Sequence, residues 1–183
     1  SSLSYSLRLP PLLIISLQGA GPFGFFDPLG LTADLTNQEI RLFREAELTH
    51  GRVSMMAALG FLVQEAFHPI FPAVEGPAAR QLDAVLSTSN GQLGGSILLM
   101  AIFFSEIQRA RVGWMEPSEA MRTLREAYLP GDLGFDPLGM KPTDEVAFKE
   151  MQTKELNNGR LAMIAVAGMC AQEVVSNTPI LGA

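Results

Sequence analysis

The chain has 183 residues, 13 basic and 19 acidic, for a formal net charge of −6. It carries no basic stripe, which argues against a nucleic-acid partner; one cysteine, Cys170, and two histidines, His50 and His68, exclude a disulfide framework and a cysteine cage for zinc. Hydrophobic residues make up 48% and charged ones 17%, below the roughly 25% charged of soluble domains, so the composition fits a very apolar helical protein or a small membrane protein.

Residues 1–36 read as an extended segment. Leu9–Phe26 is uncharged and contains LLIISL, but Pro10, Pro11, Gly19, Gly21, Pro22 and Gly24 interrupt it. A first helix is expected over 37–68, capped by Asp34, Thr36 or Asn37 and stopped by Pro69. A loop over 69–91 leads to a second helix over 92–111, which overlaps a stretch of 22 uncharged residues between Asp83 and Glu106. About 20 apolar residues are what a bilayer core requires. A loop over 112–142 precedes a third helix over 143–176, and 177–183 form a tail. The first and third helices each have 12 uncharged residues, Val53–Gln64 and Leu161–Gln172, after a charged half. At about 30 residues, or roughly 45 Å, each is long enough to cross a membrane at a tilt with one end projecting. Strand signals are poor. The expected fold is an all-α membrane protein with three transmembrane helices.

The sequence repeats itself. FFDPLGL at Phe25–Leu31 returns as GFDPLGM at Gly134–Met140, and ELTHGRVSMMAALGFLVQE at Glu47–Glu65 returns as ELNNGRLAMIAVAGMCAQE at Glu155–Glu173, the latter at a constant offset of 108. The middle helix lies outside the repeat. With one span between them, the first and third helices run in the same direction and are expected to be long, tilted, crossed and related by a pseudo-two-fold axis.

Each copy places a glutamate and an arginine five residues apart, about 140° around a helix, where they pair poorly within it. In a bilayer each lone charge costs several kcal/mol. Exchange between copies resolves this: Glu47 with Arg160 and Arg52 with Glu155 form two interhelical ion pairs, while Gly51 and Gly159 allow close approach. His50 and Asn158 follow their glutamates by three residues and share their face; Gln64 and Gln172 lie fourteen residues beyond His50 and Asn158, again in a similar direction. These are single lone-pair donors spread along apolar helices, not a cage. They suit magnesium held mainly by a macrocycle, which needs one axial donor. A satisfied core role for His50, haem ligation by it, and a purely interfacial role for Gln64 and Gln172 stay open. His68, before Pro69, reads as interfacial and the nine methionines as packing. No catalytic constellation or phosphate loop is visible, so an enzyme is not expected. A repeat-built transporter would need a polar midplane, and MMAALG and AMIAVAG are apolar.

ELTHGR and ELNNGR, each after an FDPLG loop, resemble the light-harvesting chlorophyll-binding proteins of thylakoid membranes, over Phe25 to Glu173. HGRVSMMAALGFLVQEAFHP and YLPGDLGFDPLGMKP are more similar to red-lineage antennae of the fucoxanthin chlorophyll a/c-binding type. The resemblance implies that Glu47, His50, Glu155, Asn158 and Gln172 ligate chlorophyll magnesium, with Gln64 the repeat counterpart of Gln172. It implies that Arg52 and Arg160 form the interhelical pairs, and that two carotenoids end near Asp27, Pro28, Asp136 and Pro137. Glu106, with Arg109 three residues on, resembles a further ligand; Leu98 stands where green-plant relatives carry a glutamine ligand. Past Glu173, ten residues follow with no histidine. The implied cofactors are chlorophyll a, chlorophyll c rather than b, and xanthophylls of the fucoxanthin or diadinoxanthin type. The implied location is the chloroplast thylakoid membrane, as a multi-pass protein. The implied partners are a photosystem core, neighbouring antenna subunits and thylakoid lipids, with no small-molecule substrate. Light harvesting with excitation transfer is the expected function, and photoprotective dissipation within the same family is its alternative.

Overall fold

A computed structural model describes residues 27–32, 34–67, 76–119 and 121–181. The extended segment expected before Asp27, His68, Pro69 and Glu75 lie outside the described residues. The described chain is helical: α1 (Asn37–Ala66), a 3-10 turn (Ala78–Arg80), α2 (Gln81–Leu86), α3 (Ser89–Gly113) and α4 (Glu145–Ser176). Its extended contacts are confined to an isolated antiparallel bridge between Trp114 and Leu124.

Local chemistry sets the helix ends. Thr36 caps α1: its hydroxyl accepts the Glu39 N–H while the Glu39 carboxylate accepts the Thr36 N–H at 2.8 Å, a reciprocal box that satisfies two orphan donors. Thr88 caps α3 by accepting the Gly91 N–H, so Ser-Asn-Gly, turn-like in sequence, forms its first turn. Asp144 caps α4 through the Ala147 N–H, and Asn177 ends it at φ 56°, a left-handed conformation that asparagine tolerates. The stretch expected as loop 69–91 contains the 3-10 turn and α2.

Helices α1 and α4 pack most closely at Gly51 and Gly159. A Cβ on either glycine would sit 3.0 Å from the Cα of the other. Leu156 and Ala162 are buried nearby. Loop 114–133 lies against the N-terminal half of α1. Gln38 donates to the Leu124 carbonyl, and Arg41 donates to the carbonyls of Arg125, Glu126 and Tyr128. Leu124 is fully buried, and the Tyr128 ring packs where Gly113 carries no side chain.

Little else is buried. Leu93, Ile97, Leu98, Leu99, Met100, Phe103 and Phe104 of α3 are all more than half exposed. Among the described helices α3 alone passes as a membrane span by length and composition, and its most apolar stretch is not buried within the protein. An exposed apolar surface of this extent marks a molecule whose packing partners include more than its own chain.

Candidate functional site

The tight passage at Gly51 and Gly159 brings the two repeated motifs into register. Arg160 Nε donates to Glu47 Oε1 at 2.6 Å and Arg52 Nε donates to Glu155 Oε1 at 2.8 Å. Each arginine therefore meets the glutamate of the other helix. The two ends of the exchange differ. Glu47 Oε2 also accepts Arg44 Nη1 at 2.9 Å, whereas Arg52 Nη2 reaches away to the Gly131 carbonyl at 2.7 Å.

His50 is exposed, and its Nδ1 donates to the Ala46 carbonyl at 2.7 Å. That bond fixes the ring and leaves Nε2, with its lone pair, on the far side. Asn158 is exposed at the matching place on α4. Both sit in apolar stripes that the protein leaves open: Val53 and Met56 beyond His50, Leu161 and Ile164 beyond Asn158. Gln172 is exposed and Gln64 is half-buried. On α3, Glu106 is exposed, with Arg109 Nη1 3.3 and 3.2 Å from its two oxygens. These are long contacts for N–H···O, so they leave the carboxylate much of its lone-pair capacity. Leu98 is exposed and offers no lone pair.

The two Asp-Pro-Leu-Gly loops are built alike. Asp27 accepts the N–H groups of Leu31 and Thr32 at 3.0 and 2.9 Å and the Thr32 hydroxyl at 2.6 Å. Asp136 accepts the N–H groups of Met140 and Lys141 at 2.9 and 2.8 Å. Gly30 and Gly139 sit at φ 64° and 63°, which the reversal after Pro28 and Pro137 requires. The hydroxyl and backbone donors of Thr32 hold the Asp27 carboxyl below the usual carboxylate range. The N–H groups of Lys141 and Met140 do the same for Asp136. Both carboxylates are thus engaged in closing their own loops. The second loop also walls a groove of about 810 Å³ between α1 and α4, lined by Leu48, Arg52, Leu133, Phe135, Phe148 and Glu155 among others.

Sequence reasoning missed three features. Glu45, next but one to Glu47, is one of two buried residues of α1, with Gly51. It accepts the Tyr128 hydroxyl at 3.0 Å and the Gly131 N–H at 2.7 Å, and it lies 3.1 Å from Arg109 Nε of α3. Burial, then the charge of Glu45 and its hydrogen bond, push the Tyr128 phenol up to about 12. Arg44 supplies the second cation at Glu47; its place in the other copy is Gln152. Neither residue repeats, so repeat logic passed over them. The third feature is at the other end, where Glu65 accepts the N–H groups of Ile180 and Leu181 and buried Glu173 accepts that of Ala78.

The sequence model of the chlorophyll a/b-binding proteins matches residues 15–174. The chain belongs to the chlorophyll a/b-binding protein family. Within that family it is 49% identical over 167 residues to light-harvesting complex stress-related protein 3.2 of Chlamydomonas reinhardtii, covering 87% of this chain and 62% of that protein. It is 47% identical over 162 residues to a fucoxanthin-chlorophyll a-c binding protein of Isochrysis galbana, covering 86% and 76%. It is 30% identical over 194 residues to chlorophyll a-b binding protein 7 of Solanum lycopersicum, covering 92% and 63%. The chain thus spans a little under two thirds of the stress-related relative's length. The family is one of light-harvesting proteins of helical membrane fold that bind chlorophyll. The site's donors fit that pigment. Among the described residues no three His, Cys, Asp or Glu side chains gather around a metal position, and magnesium inside a macrocycle asks only for one axial oxygen or nitrogen.

Proposed function

We propose that the protein is a light-harvesting antenna of the chloroplast thylakoid membrane, in which α1, α3 and α4 all cross the bilayer. At 1.5 Å per residue α1 and α4, of 30 and 32 residues, reach about 45–48 Å, which exceeds a hydrocarbon core of roughly 30 Å. Glu47, His50, Glu155, Asn158, Gln172 and Glu106 would hold chlorophyll magnesium, and Gln64 is the remaining candidate. Bound chlorophyll supplies light absorption and excitation transfer. The chain's own residues do the rest. Arg160 and Arg52 neutralise the ligand carboxylates from the opposite helix, the Ala46 carbonyl orients His50, and the open apolar stripes cover pigment faces and exclude water. The Asp-Pro-Leu-Gly loops and the groove beside the second one receive xanthophyll ends. The fucoxanthin-type relative supports chlorophyll c and a fucoxanthin-like carotenoid, and a photosystem core is the acceptor of the excitation.

The observation that carries this reading is the pair of exchanged Arg–Glu contacts with exposed lone-pair donors three residues beyond, set in apolar stripes. Extraction and chromatography of pigments from the purified protein test it. Chlorophyll a with chlorophyll c and a xanthophyll is expected, and His50→Leu and Asn158→Leu each lower the chlorophyll content. A colourless protein that retains its helical circular dichroism overturns it.

Photoprotective dissipation is favoured by a separate observation, the buried Glu173 carboxyl that accepts the Ala78 N–H, together with the stress-related relatives. Fluorescence lifetimes of the pigmented protein at several pH values separate the readings. Shortening on acidification that Glu173→Gln removes supports dissipation, and a pH-independent long lifetime supports harvesting alone.

A further inference from the structure

Glu45 is a charged side chain buried at 3% exposure inside a helix whose neighbouring charges already have partners. Such a group is costly to bury without several donors. It has two from loop 114–133, the Tyr128 hydroxyl and the Gly131 N–H, and beside them the charge of Arg109 from α3. The Arg109 contact is a charge contact, since Nε is buried 3.1 Å from Glu45 Oε1 but off the axis of its N–H. The same guanidinium turns its Nη1 to both oxygens of Glu106, whose side chain is 56% exposed. One arginine therefore stands between a buried carboxylate on α1 and an open one on α3. Glu106 touches α1 through nothing else that is described, and α3 packs on α1 much less closely than α4 does.

We propose that Glu45 is a positioning residue for pigment ligation at Glu106: it anchors Arg109 from α1, and Arg109 then sets the orientation and charge of the Glu106 carboxylate. This rests on Glu106 acting as an axial ligand. A lone Arg109 has the rotamer freedom of a long side chain. Tied at Nε to a carboxylate that is itself locked by a phenol and a backbone N–H, it presents Nη1 to Glu106 in one place. The pigment site on the middle helix is in this way built from both α1 and α3, although the middle helix lies outside the repeat. Thr153, the repeat counterpart of Glu45, hydrogen-bonds only its own helix, at the Lys149 carbonyl.

Glu45→Gln keeps acceptors for Tyr128 and Gly131 but removes the charge that holds Arg109. The test compares chlorophyll-to-protein ratio and absorption difference spectra of the wild type, Glu45→Gln, Glu106→Leu and the double variant, with helical circular dichroism recorded on each. The expected result is loss of the same single chlorophyll band in all three variants, with the double variant no worse than either single one. Residues that act as one unit are non-additive in this way. Full chlorophyll content in Glu45→Gln while Glu106→Leu loses one overturns the inference alone. Additive loss in the double variant also overturns it, because that is the mark of a general packing role. Full content in Glu106→Leu overturns the ligand assignment and the inference with it. Should Glu45→Gln fail to fold, Glu45→Asp carries the test: it keeps the charge but withdraws it by a methylene, partial occupancy of the same band is expected, and full occupancy overturns the proposal.

Discussion

At Glu47 and at Glu155 the same motif meets different surroundings. Glu47 has two arginines, Arg160 from the opposite helix and Arg44 from its own, while Glu155 receives Arg52, which also holds the Gly131 carbonyl. Two residues before Glu47 stands Glu45, tied to α3 and to loop 114–133; two before Glu155 stands Thr153, bonded within α4. Duplication explains how α1 and α4 bind each other. The residues that were not duplicated explain how α3 and loop 114–133 are attached, and they cluster on α1. The first copy is the hub on which α4, α3 and the long loop are assembled.

What the copies share is most severely tested at the glycines. A Cβ at Gly51 or Gly159 would meet backbone of the opposite helix at 3.0 Å, and backbone cannot swing aside. Overpacking of this kind costs about 1–3 kcal/mol for small additions, so Gly51→Ala and Gly159→Ala should lower the thermal midpoint by similar amounts. Gly51→Leu and Gly159→Leu should both abolish the pigmented protein. A leucine tolerated at one site alone would show that the contact is not mutual.

The arginines come next and should separate the copies. Removing one partner of an ion pair costs from about 0–1 kcal/mol when exposed to 3–5 kcal/mol when buried, and these side chains, 26–37% exposed, fall between. Arg160→Leu leaves Glu47 with Arg44, whereas Arg52→Leu strips Glu155 of that partner and also frees the Gly131 carbonyl. Arg52→Leu is therefore the more damaging, by melting temperature and by chlorophyll retained. Arg160→Leu lowers chlorophyll at Glu47 rather than at Asn158 on its own helix, and Arg44→Leu added to it makes the loss complete. Equal effects of the two single variants would remove the asymmetry on which the hub argument stands.

The difference between the copies also accounts for what the sequence disclosed. The partners of Arg52 and Arg160 were legible, because a constant offset of 108 supplies each unpaired charge with a counterpart at the same depth. The Thr36 cap was one of three candidates, and only the reciprocal Glu39 contact selects it. Glu45 was illegible. Its neighbours in the sequence, Arg44 and Glu47, suggest a solvated charged face, and its real partners are 64, 83 and 86 residues away in Arg109, Tyr128 and Gly131. Glu65 and Glu173 were visible as repeated acids, but the N–H groups they accept, of Ile180 and Leu181 and of Ala78, lie in segments outside the repeat, which no spacing rule conveys.

The smallest expected effect compares the two Asp-Pro-Leu-Gly loops. Asp27 is held down first by the Thr32 hydroxyl and then by backbone N–H groups; Asp136 is held down first by the backbone N–H groups of Lys141 and Met140, with the Lys141 charge adding a little. The sign follows from linkage. A carboxyl whose folded value is depressed contributes its full stability above its unfolded value, near 3.9 on average, and loses it as pH falls through the lower folded value. Both loops should therefore stay closed through any acidification that stops above the ordinary carboxylate range, and any pH response in that window should trace to another part of the molecule. Only Asp136 should respond to salt. At 1 M, where charges are screened within about 3 Å, its carboxyl should move slightly toward its ordinary value while Asp27 stays put. Carbon-13 shifts of the two aspartate carboxyls, followed against pH at low and high salt, read this directly. A larger salt response at Asp27 would mean that charge, not the local hydrogen bonds, closes the first loop, and that the two copies differ there in the opposite sense.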